Sequence, residues 1–166
     1  PMTSAILVSI FMTLVAASTP ILLAALGELV TEKSGVLNLG VEGMMLCGAV
    51  AGFAVAFSTG STGLGLLAAV AAGISTAMIF AVLTLSLMAN QVASGLALSL
   101  FGLGLSAFAG LAFVSVVIEG IQPLSIAGLS DLPVIGKVLF AHNPLVYLSL
   151  VLFALVHGFL YYTRAG

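Results

Sequence analysis

No Asp, Glu, Lys or Arg occurs in residues 43–118, which read GMMLCGAVAGFAVAFSTGSTGLGLLAAVAAGISTAMIFAVLTLSLMANQVASGLALSLFGLGLSAFAGLAFVSVVI. This stretch is 76 residues long, and a helix needs about 20 apolar residues to cross a bilayer. It is therefore long enough for about three membrane spans, separated by the turn-forming residues 58–63 and 89–91. Two further charge-free runs, residues 1–27 and 138–163, flank it.

Composition excludes a water-soluble globule. Hydrophobic residues make up 62% of the 166-residue chain and charged residues only 5%, whereas soluble domains carry about 25% charged residues. We therefore expect an all-α fold, a polytopic transmembrane helical bundle whose main partner is the lipid bilayer. The formal net charge of −2 and the absence of a basic patch argue against a nucleic acid partner.

Apolar length and turn residues place five predicted spans in a single transmembrane domain, residues 1–166, at about 5–26, 36–57, 64–88, 93–117 and 144–162. The second span begins near residue 36, because a start at Met44 leaves too few residues before the 58–63 turn. Residues 28–33 are predicted to form a loop. Residues 118–143 are predicted to form a longer loop outside the bilayer core, with a short interfacial segment at about 132–140.

The few basic residues indicate an orientation. Lys33 and Arg164 fall on one side of a five-span topology, and Lys137 falls on the other. Basic residues concentrate in cytoplasmic loops. We therefore expect residues 28–33 in the cytoplasm and the 118–143 loop outside.

Asn38 and Glu42 stand out as polar residues inside the second predicted span. They are four residues apart and would share one helix face. A charge at the centre of a membrane helix costs roughly 2.5–3.5 kcal/mol, and an intramembrane carboxylate is a candidate functional site. Glu42 either contacts the solute or a gate, or it reaches the interface and caps a neighbouring helix end.

A second polar cluster, Asn90, Gln91 and Ser94, opens the fourth predicted span. It too has two interpretations, a solute contact or a turn with helix capping. Pairs of small residues four apart, Gly48/Gly52, Gly95/Ser99 and Ser106/Gly110, predict close helix packing in a compact bundle.

Nothing in the sequence indicates an enzyme. The glycine-rich residues 60–65 lack the lysine and the spacing of a phosphate-binding loop, and His142 and His157 have no neighbours at metal-ligand spacing. No cofactor is expected, so a transporter would take its energy from a partner or an ion gradient. One alternative is a secondary transporter or channel that uses Glu42 as its ion or proton site, and another is a membrane scaffold without transport.

Four stretches carry a resemblance to a known family: residues 24–45 (AALGELVTEKSGVLNLGVEGMM), 90–98 (NQVASGLAL), 128–136 (GLSDLPVIG) and 143–148 (NPLVYL). In this order they resemble the permease subunits of bacterial ABC importers for nucleosides and simple sugars. That family is shared with ribose and branched-chain amino-acid permeases. The first stretch is the most distinctive of the four.

The resemblance implies a multi-pass subunit of the bacterial cytoplasmic membrane that pairs with a second permease subunit. Cytoplasmic ATPase subunits would drive it, and an extracytoplasmic solute-binding protein would dock on the outer 118–143 loop. Family members continue beyond residues 163–166, so we expect this chain to be an N-terminal portion of a longer permease. The expected substrate path comprises Asn38, Glu42, Asn90, Gln91 and Ser94.

Overall fold

A computed structural model describes residues 2–124 and 142–163, with side chains from Ile6 onward. These residues form five helices and no strand. The helices are α1 (Met2–Lys33), α2 (Val41–Thr59), α3 (Thr62–Ala81, continued by a π-helical turn, Val82–Ser86), α4 (Gln91–Gly110, continued by a 3₁₀ turn, Leu111–Phe113) and α5 (Pro144–Tyr162).

All five helices are long and apolar enough to cross a membrane. The shortest, α2 and α5, have 19 residues each and therefore span about 28 Å at 1.5 Å per residue. Large apolar side chains point away from the protein, as at Leu67, Leu100 and Leu155, which are 66%, 70% and 62% exposed. Exposing so many apolar side chains to water would be energetically unfavourable. The predicted all-α transmembrane fold is therefore confirmed.

Short polar residues and glycine set the helix ends. The side chains of Ser61, Asn90 and Asn143 cap α3, α4 and α5 by accepting hydrogen bonds from backbone N–H groups of the first turn. Helix α2 ends at Gly60, whose φ of 67° lies in the left-handed region that glycine adopts without strain. Pro144 occupies the first turn of α5, where a missing N–H leaves no helix bond unmade.

The loop predicted at residues 28–33 is wrong, because α1 continues through these residues to Lys33. Glu28, Glu32 and Lys33 are good helix formers, so the helix simply extends past its apolar part. It ends where Ser34 and Gly35 form a turn, with Gly35 at a φ of 84°. Lys33 lies in the last turn, where a positive charge favours the helix dipole.

Contacts divide the chain into two compact units, Pro1–Val30 with Ile121–Gly166 and Thr31–Gly120. The first, unit 1, contains most of α1 together with α5, and the second, unit 2, contains α2, α3 and α4. Much of the predicted 118–143 loop, including its interfacial segment at 132–140 and the 128–136 stretch, lies outside the described residues.

Within unit 2, α2 packs against α3 through small residues. A Cβ built on Gly65 would lie 2.6 Å from the Cβ of Ala56 and 2.7 Å from the Gly52 carbonyl oxygen. A Cβ on Gly52 would lie 2.9 Å from the Cβ of Ala69, and one on Gly48 would lie 3.2 Å from the Ala69 oxygen. The predicted packing role of the Gly48/Gly52 pair is therefore confirmed.

Helix α4 meets the start of α2 just as closely. A Cβ on Gly43 would overlap the Leu98 carbonyl, and one on Gly102 would overlap the backbone of Gly43. A Cβ on Gly95 would lie 2.8 Å from the Leu39 nitrogen. The Gly95/Ser99 pair thus lies on a packed face.

At Gly110 a Cβ would meet nothing within 4 Å in the described residues. The Ser106/Gly110 pair therefore makes no comparable contact within unit 2, although its four-residue spacing is the same.

Two alanine substitutions on α3 should have opposite effects on stability. In Gly65→Ala the new methyl group meets backbone and Cβ atoms of α2, so the helices must separate at a cost of about 1–3 kcal/mol. In Gly73→Ala the methyl group meets nothing within 4 Å, and the gain in helix propensity is up to about 1 kcal/mol. Thermal unfolding of the detergent-solubilised protein measures both; equal melting temperatures would refute the packing described for Gly65.

Candidate functional site

A non-helical segment of backbone, residues 36–40, separates the end of α1 from the start of α2. Unit 2 holds both ends of this segment. At one end the Val36 N–H donates to the Thr31 carbonyl oxygen at 3.0 Å. At the other, the carbonyl oxygen of Gly40 accepts from the Met44 N–H at 3.0 Å. Backbone groups in such a non-helical segment need hydrogen-bond partners from other parts of the protein or from water.

Asn38 lies inside this segment and not on α2. The expectation that Asn38 and Glu42 share a helix face is therefore wrong, because α2 begins only at Val41. The Asn38 Oδ1 accepts a hydrogen bond from the Gly40 N–H at 2.9 Å, and its Nδ2 contacts the Met44 sulfur at 3.7 Å. A short amide side chain that bonds its own backbone two residues on competes with helix formation.

Two polar side chains of α4 hold the same segment from the other side. The Leu37 N–H donates to the Gln91 Oε1 at 2.8 Å, and the Ser99 hydroxyl donates to the Leu39 carbonyl oxygen at 2.8 Å. Between them on α4 lies Gly95, whose lack of a side chain lets the segment approach the helix backbone. These contacts satisfy backbone groups that lack helix partners.

Glu42 lies in the first turn of α2 and is exposed. Gly40, at the N-cap, offers no side chain to the first N–H groups of the helix. A carboxylate in this turn interacts favourably with the positive end of the helix dipole, an effect of roughly 0.3–1 kcal/mol. Glu42 thus has a local electrostatic role and a side chain that remains accessible.

Asn90 and Ser94 have different surroundings. The Asn90 Oδ1 accepts from the Ala93 N–H at 3.0 Å and caps α4, which is one of the two interpretations considered for this cluster. Ser94 lines an apolar groove of about 340 Å³ together with Leu83 of the π-helical turn and Phe101. π-Helical turns are rare and occur frequently at functional sites.

The structure thus brings Asn38 and Gln91 together around one backbone segment and leaves Glu42 and Ser94 accessible. Ser99 also bonds this segment, and Gly102 packs against Gly43 at the start of α2. The sequence identified Ser99 only as half of a small-residue pair. Residues 95, 99 and 102 recur at a helical spacing, which was the available signal. The described residues contain no group of three His, Cys, Asp or Glu side chains that could hold a metal ion. What the arrangement offers is neutral hydrogen bonding inside a charge-poor helical protein.

These features define a multi-pass membrane protein with a polar, non-helical segment among its spans. Comparison with known families gives the particular family: residues 10–166 match the model of the branched-chain amino acid transport system / permease component. The chain belongs to this permease family, as the resemblance predicted. Members of this family are permease components of transport systems.

Three relatives of this chain are named as ABC transporter permeases. A protein of Haloferax volcanii named as a glucose ABC transporter permease is 44% identical over 156 residues, which cover 92% of this chain and 47% of the relative. The guanosine ABC transporter permease of Bacillus subtilis is 36% identical over 149 residues, 83% of this chain and 46% of the relative.

A nucleoside ABC transporter permease of Lactococcus lactis is 30% identical over 162 residues, 90% of this chain and 50% of the relative. The chain therefore spans about half the length of the curated relatives it matches. No solved structure matches it.

Replacing Gln91 should loosen residues 36–40 selectively. Gln91→Leu removes the acceptor of the Leu37 N–H, and one hydrogen bond contributes about 0.5–1.5 kcal/mol. We expect Leu37 to exchange its amide hydrogen up to about tenfold faster in hydrogen-exchange mass spectrometry. Gln91→Glu keeps an acceptor oxygen and should stay near the wild-type rate. The assignment of Gln91 is refuted if both variants leave exchange at residues 36–40 unchanged.

Proposed function

We propose that this chain is part of the membrane-spanning subunit of an ATP-binding cassette importer that carries nucleosides or simple sugars. Membership of the permease family supports the class of transporter. The solutes are proposed because relatives bear names that specify glucose, guanosine and nucleosides. The cytoplasmic membrane of a bacterium is the proposed location.

The observation that carries the solute proposal is the chemistry of residues 36–40 and their partners. Asn38, Gln91 and Ser99 are neutral, and they form hydrogen bonds among helices whose other side chains are largely apolar. Neutral polar groups suit an uncharged, hydroxylated solute better than an ion, which would require a compensating charge.

A specific division of labour among the predicted path residues is part of the proposal. Asn38, Asn90 and Gln91 already bond to backbone groups, so they shape the path by holding residues 36–40 and the start of α4. Glu42 and Ser94 have accessible side chains or line a groove, so they contact the solute directly. That these five residues belong to the substrate path stays a prediction.

The proposed partners are a second permease subunit, cytoplasmic ATPase subunits and an extracytoplasmic solute-binding protein. The sequence contains no phosphate-binding loop, so ATP hydrolysis would occur in another subunit. Membership of an ABC permease family supports this assembly in general terms, and the partners' identities are the part to be tested.

Reconstituted transport tests the proposal. The full-length permease, purified with its ATPase and binding-protein partners, is placed in proteoliposomes, and uptake of radiolabelled guanosine and D-glucose is measured. We expect uptake of at least one probe that requires ATP and the binding protein. Uptake that follows a proton or sodium gradient and ignores ATP would instead support an ion-coupled transporter with Glu42 as its ion site.

Removal of the Glu42 side chain should alter transport without preventing membrane insertion. Glu42→Leu removes an accessible carboxylate from the first turn of α2. We expect the activation free energy of transport to rise by about 1 kcal/mol, which lowers the uptake rate roughly fivefold. Glu32→Leu, which removes another exposed carboxylate near the end of α1, is the matched control. Normal uptake by Glu42→Leu, at equal amounts of inserted protein, would show that Glu42 is not in the path.

A further inference from the structure

Unit 1 contains a cavity of about 260 Å³ between α1 and α5. Its lining combines apolar side chains with the hydroxyl groups of Ser18, Thr19 and Ser149, and with His142 and Tyr147 at one end. Thr19 and Ser149 are only 7% and 2% exposed. None of these hydroxyl groups belongs to the segment at residues 36–40 or to its partners.

The hydroxyl groups of these lining residues all use their hydrogen in the same way. Thr19 and Ser18 both donate to the Val15 carbonyl oxygen, at 2.9 and 3.0 Å, and Ser149 donates to the Val146 carbonyl oxygen at 2.7 Å. A hydroxyl group has one hydrogen and two acceptor lone pairs. Because each hydrogen is engaged with its own helix, the lone pairs of these oxygens remain for a ligand that donates.

The cavity also lies beside a position where α1 lacks one backbone hydrogen bond. Pro20, directly after Thr19, has no N–H to give to the Ala16 carbonyl oxygen four residues earlier. Serine and threonine hydroxyls that bond back to their own helix favour bending of that helix. Ser18 and Thr19 line the cavity, and Pro20 follows them directly in α1.

We propose that this cavity binds one hydroxyl-bearing ring of the transported solute, with the ring hydroxyls donating to Thr19 and Ser149. This inference rests on the proposed function and adds a second contact region to it. The volume of about 260 Å³ is just below the roughly 300–1,000 Å³ of ordinary small-molecule sites, so the cavity suits one sugar ring of the solute and not a whole nucleoside. A few placed polar groups in an otherwise apolar wall are typical of such sites.

Matched threonine substitutions test the proposal in proteoliposomes that contain the complete transporter. Thr19→Val removes the acceptor but keeps the shape of the side chain, and Ser149→Ala does the same on α5. Thr13→Val is the control, because Thr13 lies on the same helix, bonds the Ser9 carbonyl oxygen at 2.9 Å and is exposed outside the cavity. Uptake of radiolabelled guanosine and D-glucose gives KM and the maximal rate.

We expect Thr19→Val and Ser149→Ala to raise KM about tenfold for the imported probe, since a hydroxyl donor of the solute loses its acceptor. Thr13→Val should leave KM unchanged. Monodeoxy analogues of the probe add a readout that a purely structural role would not move. The analogue that lacks the bonded hydroxyl should show the same KM in wild type and in Thr19→Val.

A thiol-protection experiment gives an independent measurement in a Cys47→Ser background, which removes the buried native cysteine. In Ser18→Cys, at an exposed position in the lining of the cavity, a water-soluble thiol reagent should react, and the imported probe should slow that reaction. The inference is overturned if wild type transports but the cavity variants behave like Thr13→Val and no protection occurs. Absence of ATP-dependent uptake by wild type would instead refute the proposed function, so the two failures are distinguishable.

Discussion

Every backbone N–H and carbonyl group of this protein must find a partner within the protein wherever lipid replaces water, and this constraint shapes the rest of the structure. The helices satisfy it internally, and side chains supply partners where the helices stop. Asn90 and Asn143 cap helix starts, and Gln91 and Ser99 bond the non-helical residues 36–40. Polar side chains are rare in this chain, and many of those described serve the backbone first.

Glycine makes these side-chain contacts geometrically possible. Helices in a membrane associate through packing and hydrogen bonds. Lipid is as apolar as leucine, so no hydrophobic driving force brings the helices together. Gly43, Gly95 and Gly102 let the backbones of α2 and α4 touch. At that separation the side chains of Gln91 and Ser99 reach Leu37 and Leu39. A bulkier residue at any of these three glycines would move the side chains of Gln91 and Ser99 away from residues 36–40. Helix packing and side-chain hydrogen bonding in unit 2 therefore depend on the same positions.

The fold class could be predicted from the sequence because the length of an apolar run translates directly into a membrane-spanning helix. Helix ends were less accessible. Residues 28–33 are charged, and charge suggests a loop, yet nothing there breaks a helix before Gly35. Asn38 was assigned to the second span because a start at Met44 leaves too few residues before the 58–63 turn, whereas its amide bonds Gly40 and the helix begins at Val41. Both errors arose where local hydrogen bonding, and not hydropathy, sets the boundary. Ser149, in the middle of an apolar run, gave no signal at all.

Amide and hydroxyl side chains bond the backbone of this protein in opposite senses, and this contrast gives one charge-poor chain two kinds of polar group. In unit 2 the acceptor oxygens of Asn38, Asn90 and Gln91 complete backbone N–H groups, so their acceptors are already engaged. In unit 1 the hydroxyl hydrogens of Thr19 and Ser149 go to helix carbonyl oxygens, which leaves the acceptor lone pairs of two residues that line a cavity. A hydroxylated solute carries both donors and acceptors on every hydroxyl group. The hydroxyl oxygens of Thr19 and Ser149 can accept from its donors without breaking a bond that the protein already has.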